Sequence, residues 1–110
     1  MDEQEFHRRA EQALESLKRS LYVAEEQGDF EVEEAGGALQ ILFEEPPGKF
    51  VVSPNGSMRQ IWISALATSY KLDWSPEAAE FVLPKTGEKL KTLLARLINE
   101  QLQSDKVRLD

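Results

Sequence analysis

The 110-residue chain contains no cysteine. That excludes disulfides, thiolate metal sites, cysteine nucleophiles and cysteine-ligated clusters held by this chain, and it is compatible with a reducing compartment. No apolar run approaches the roughly 20 residues that a membrane span needs. Catalytic constellations are missing as well: there is no Ser/His/Asp set, no phosphate-binding glycine loop and no His-rich metal motif. Histidine occurs once, at His7. No internal repeat or low-complexity segment interrupts the chain, and its length suits one domain with one core. The N-terminus is acidic and helical in pattern, unlike a signal or transit peptide, which predicts a cytoplasmic protein.

What is present is charge, unevenly spread. The net charge is −7, and residues 1–34 hold eleven acids against four bases, whereas the remaining 76 hold nine of each. The whole excess therefore sits at one end. Such a field repels nucleic acid and anionic membrane, and it attracts cations or basic protein surfaces.

Apolar periodicity sets out the elements. Phe6, Ala10, Ala13, Leu14, Leu17, Leu21 and Ala24 recur at three- and four-residue spacing and predict a helix over 3–26. Asp2 with Glu5 forms a capping-box variant, Gly28 is the expected stop, and Glu15 can pair with Arg19. β-like runs follow at 30–34 and 38–43, joined around Gly36-Gly37, a hairpin signal. After a turn at Pro46-Pro47-Gly48 come runs at 50–53, 59–64, 70–74 and 81–83, with a loop over 54–58. Leu90, Leu93, Leu94, Leu97, Ile98 and Leu102 predict a second helix over 89–102, capped by Thr86. A short tail over 103–110 carries Val107 and Leu109, which can fold back. Helix, about six strands with tight turns, helix: this order predicts an α+β two-layer sandwich. Short turns make the strands antiparallel neighbours, and each helix has one apolar stripe to lay on the same sheet face.

The other face of that sheet is then free. In the strand around Ile61 and Ile63, Gln60, Trp62 and Ser64 lie out of phase with the isoleucines and point to the free face, with Gln40 and Val51 beside them. A tryptophan in that position is a spare hydrophobe or a binding anchor. Trp74, in phase with Leu72, and Phe81 read as core. Glu25, Glu26, Asp29, Glu31, Glu33 and Glu34 put six acids in ten residues with no base among them. They read either as a solvated charge run or as hard oxygen ligands for a hydrated cation, open and weakly selective. The same acids can dock a basic protein surface. His7, beside Glu3 and Glu11, is a surface histidine or a supplement to that metal site. Abundant exposed carboxylates without an apolar pocket give an enzyme reading little support.

In order along the chain, Glu5-Phe6-His7-Arg8, Gly36-Gly37-Ala38-Leu39, Gln60-Ile61-Trp62-Ile63-Ser64, Leu72-Asp73-Trp74 and Gly87-Glu88 resemble the frataxin family in its bacterial CyaY branch. The resemblance covers nearly the whole chain and is sharpest at the Gln60–Ser64 stretch. It implies two helices on one face of an antiparallel sheet and a non-enzymatic role in iron–sulfur cluster assembly, with weak ferroxidase activity a minor possibility. It also implies weak binding of ferrous or ferric iron through acids of the first helix and strand. The implied partners are the cysteine desulfurase and the scaffold protein. Docking is expected through a face holding Trp62, Gln60, Ser53, Ser64 and Asn55, in a protein that is monomeric without iron. Two departures stand out. Lys18, Arg19, Tyr22 and Val23 occupy helix positions near which bacterial relatives carry acids, and Ser53 stands where the family has a strand asparagine. A metal site is therefore expected to move toward residues 25–34, and loss of iron binding altogether is the alternative.

Overall fold

The computed structural model describes residues 1–110. Helix α1 (Glu3–Glu25) is followed by six strands, β1 (Glu31–Ala35), β2 (Ala38–Glu44), β3 (Pro47–Asn55), β4 (Gln60–Ala65), β5 (Thr68–Ser75) and β6 (Glu80–Val82), and then by helix α2 (Leu90–Leu102). The strands form one sheet in sequence order, every neighbour antiparallel. This is the expected two-layer α+β sandwich.

The reason is the period-two alternation. Val32, Leu39, Ile41, Phe43, Phe50, Val52, Ile61, Ile63, Ala65, Leu72 and Phe81 point to one sheet face and are buried there. Phe6, Ala10, Leu17 and Leu21 of α1 and Leu90, Leu93, Leu94, Leu97 and Ile98 of α2 close over them. The 21 buried residues form one cluster, and none is polar. Each large side chain contributes about 1.5–3 kcal/mol on burial. Phe6 meets Phe81 edge-on at 5.9 Å between ring centroids, tying the start of α1 to the last strand. No helix is long and apolar enough to cross a membrane.

Local chemistry sets the boundaries. Asp2 caps α1, its Oδ1 accepting the Glu5 N–H at 2.7 Å. Gly36 and Gly37, with φ of 59° and 84°, make the two-residue turn between β1 and β2, where both central residues need positive φ. The turn between β4 and β5 has the same sign of φ at Leu66 (53°) and Ala67 (60°), without glycine. The tail folds back as expected. Asn99 Nδ2 donates to the Val107 carbonyl at 3.0 Å, the Val107 N–H donates to Asn99 Oδ1 at 2.9 Å, and Val107 and Leu109 pack on the core.

Several expectations need correction. Pro47 already belongs to β3, and Pro54 and Asn55 continue it rather than opening a loop, because Pro54 pairs with Ile61 and Asn55 with Gln60. Helix α1 ends at Glu25 with Glu26 as its cap. Helix α2 begins at Leu90 behind Lys89, which makes no side-chain cap bond. Thr86 instead accepts the Glu88 N–H at 3.1 Å. Glu15 pairs with Lys18 at 3.1 Å and not with Arg19, because the second carboxylate near Lys18, Glu34 at 3.4 Å, draws the ammonium between them. Trp74 is only partly buried, with the Arg9 guanidinium 4.9 Å from its ring centroid.

Candidate functional site

Two surfaces hold the residues singled out in the sequence. The first is the free sheet face. Register sets Ser53 opposite Trp62 and Trp62 opposite Lys71, and it aligns Asn55, Gln60 and Asp73 in the next row. Trp62 is half-buried rather than fully exposed, and its polar edge is occupied. Its indole N–H donates to Gln60 Oε1 at 2.9 Å, and Gln60 Nε2 donates to Asp73 Oδ1 at 2.8 Å. Lys71 Nζ lies 4.8 Å from the ring centroid, within range of a cation–π contact. The ring is thus contacted by Gln60 and Lys71, with Asp73 bracing Gln60, before any partner arrives. Ser64 is exposed at the edge of this set, paired with Val51 and Ser69. Asn55 is engaged in the β3–β4 turn, where its Oδ1 accepts the Met58 N–H at 3.0 Å.

Lys71 and Asp73 are the residues the sequence reading passed over. Alternation along β5 puts both on the Trp62 face, but only the register across the β4–β5 turn sets them beside Trp62 and Gln60. That turn carries no glycine to announce it.

The second surface is acidic, and the six carboxylates at 25–34 do not share one environment. Glu25 is partly buried, and its Oε2 accepts the Val32 N–H at 2.7 Å. Glu34 turns toward α1 and meets Lys18. The hydrogen bond that Lys18 donates to Glu15, aided by the charges of Glu15 and Glu34 and opposed by partial desolvation, raises the pKa of the Lys18 ammonium above its ordinary value. Glu26 and Asp29 are exposed at the helix end and the following turn, and Glu31 and Glu33 are exposed on the free face of β1. Glu33 stands opposite Gln40 and Glu31 opposite Leu42. Further up α1, His7 Nε2 lies 4.0 Å from Glu3 Oε1. His7 and Glu11 border a groove of about 220 Å³ together with Glu15 and Glu34. No three acidic or histidine side chains converge closely enough to form a ready ligand set. The chemistry available is that of separate hard oxygen donors on open surface, suited to loose capture of a hydrated cation.

A model of the frataxin-like domain matches residues 1–104. The chain belongs to the frataxin-like family. The iron–sulfur cluster assembly protein CyaY of Dechloromonas aromatica (strain RCB) is 30% identical over 101 residues, which cover 92% of each chain. The protein of the same name from Pseudomonas fluorescens (strain Pf0-1) is 26% identical over 73 residues, and the match spans 66% of each chain. A solved frataxin from Psychromonas ingrahamii, studied for stability modulation within the CyaY family, superposes with a TM-score of 0.81 at 19% identity, covering 100% of this chain and 97% of that one. That likeness carries the fold. Within this frataxin-like fold, the Gln60–Ser64 stretch that identified the family is also the strand bearing the pre-oriented tryptophan.

Proposed function

We propose that this frataxin-like chain is an accessory protein of iron–sulfur cluster assembly that docks on a cysteine desulfurase–scaffold complex through its free sheet face. The names of its CyaY relatives support the assembly role. The observation that carries the docking reading is the held tryptophan: an aromatic side chain contacted by Gln60 and Lys71 on the sheet face that the helices leave free. Pre-orientation lowers the ordering cost of binding, and aromatic anchors near an interface centre dominate affinity. Iron is cargo in this reading, captured weakly by Glu26, Asp29, Glu31 and Glu33. Glu25 and Glu34 contribute less because their carboxylates already have partners. The role is one of binding rather than catalysis.

A second reading is favoured by the scattered carboxylates: a protein-interaction module of the same machinery with little iron binding. The test compares binding to the desulfurase–scaffold complex by wild type, Trp62→Ala, and a variant with Glu26, Glu31 and Glu33 changed to Gln and Asp29 to Asn. Trp62→Ala is expected to weaken binding by about tenfold or more. Equal binding by wild type and Trp62→Ala would remove the docking role from this face. Anaerobic ferrous titration followed by amide NMR separates the two readings. Broadening confined to residues 25–34 supports iron capture, and its absence at millimolar iron selects the interaction module.

A further inference from the structure

The helix layer, on the opposite side from Trp62, carries a groove of about 340 Å³ that neither docking nor iron capture uses. It is lined by Ser16, Arg19, Ser20 and Val23 of α1, Lys91 of α2 and Arg108 of the tail. The four α1 residues recur at three- and four-residue spacing and so share one helix face. Arg108 is brought in by the clamp between Asn99 and Val107, since side chains alternate in the tail: Val107 and Leu109 pack inward while Arg108 and Asp110 are exposed.

None of the three cations pairs with a carboxylate. Arg9, Lys18, Lys89 and Arg96 do, whereas Arg8, Lys49, Arg59, Lys71, Lys85 and Lys106, like these three, do not. In a chain with 20 acids for 13 bases, α1, α2 and the tail nonetheless bring three cations to one groove. Asp110 is the one acid lining it. Beside the cations, Val23 is 67% exposed and Tyr22 42% exposed, both on the outer surface of α1. Two large apolar residues in the open next to unpaired cations fit a peptide better than a simple anion. A polyanion is disfavoured, because a net charge of −7 repels any long negative chain that extends beyond the groove.

The geometry points to a second docking site, in which Arg19, Lys91 and Arg108 bind a short acidic segment of a partner protein, with carboxylates beside an apolar side chain that covers Val23 and Tyr22. The cations orient the segment and speed its arrival, and the apolar contact supplies residence.

The probe is a synthetic peptide, acetyl-Glu-Leu-Glu-Asp-Leu-Glu-amide, titrated into the full chain and followed by amide NMR at low salt. Controls are its Gln/Asn isostere and inorganic phosphate. Shifts centred on residues 16–23, 91 and 108 are expected. Binding should weaken at least about tenfold in a combined R19E/K91E/R108E variant and several-fold in R19Q, and should be lost with the isostere. All three positions are polar and outside the core, and unchanged far-ultraviolet circular dichroism confirms that each variant is folded. Trp62→Ala should bind the peptide as wild type does, which separates this site from the sheet face. The inference is overturned by no shifts at millimolar peptide, by equal affinity in the triple variant, or by phosphate giving the same shifts at the same concentration. Self-association that R108E abolishes would assign the groove to a second copy and equally overturn it.

Discussion

Replacing Glu25 by alanine should destabilise the fold, although on sequence grounds Glu25 reads as a solvated or metal-binding acid. Strand β1 is a sheet edge, and the Val32 N–H is donated to Glu25 Oε2 at 2.7 Å. A hydrogen bond to a charged acceptor contributes about 1.5–3 kcal/mol in a favourable setting. This one is only partly buried, so the lower end applies, about 1–2 kcal/mol. At about 4–8 °C per kcal/mol for a domain near this size, Glu25→Ala should lower Tm by about 4–16 °C. Glu25→Gln keeps an acceptor oxygen and loses the charge, and should lower it by about half as much. Thermal unfolding followed by circular dichroism measures both, and amide exchange at Val32 reports the bond directly. Glu26→Ala, at the exposed helix end, should shift Tm by no more than about 2 °C. The reasoning fails if Glu25→Ala melts within about 1 °C of wild type with unchanged exchange at Val32. If it holds, loss of iron binding in a Glu25 variant reports a disturbed β1 rather than a missing ligand.

The β4–β5 turn stores strain, since Ala67 adopts a φ of 60° that favours glycine. Ala67→Gly should therefore raise stability by about 1 kcal/mol, seen as a rise in the urea midpoint without a change in slope. Glu88 is gripped by Arg96, whose Nε and Nη2 donate at 2.8 and 2.9 Å, and by the Thr86 hydroxyl at 2.9 Å. These bonds, Arg96 first, hold the Glu88 carboxyl below its ordinary value of 4.5 against some desolvation. A depressed folded-state value means stability that is complete above about pH 4.5 and lost as pH falls through the folded value. The Tm gap between wild type and Glu88→Gln should thus be full at pH 7 and close in more acidic buffer. A gap that widens on acidification would contradict the assignment.

Much of the fold was legible because burial enforces periodicity. The α1 stripe from Phe6 to Ala24 and the alternation Leu39, Ile41, Phe43 could satisfy their apolar side chains in only one way each. Gly36-Gly37 announced its turn because a two-residue hairpin needs positive φ twice. Leu66-Ala67 makes the same demand without glycine, and the turn was silent in consequence. Thr86 carried the right chemistry for a helix cap but is used three residues early, where its hydroxyl serves Glu88. Glu15 had two bases within reach on its own helix, and a carboxylate from β1, distant in sequence, decided between them.

By itself the sequence determined the class of fold, the face each strand buries, the uneven charge and the out-of-phase position of Trp62, since all of these follow from local spacing and composition. The tertiary structure alone decided which side chains meet. Register across β3, β4 and β5 joined Trp62 to Gln60, Asp73 and Lys71. Folding of the α1 end onto β1 withdrew Glu25 from the acid run, and the return of the tail set Arg108 beside Arg19 and Lys91. Hydrogen bonds and charge contacts act over a few ångströms, so they depend on separations in space that spacing along the chain does not encode.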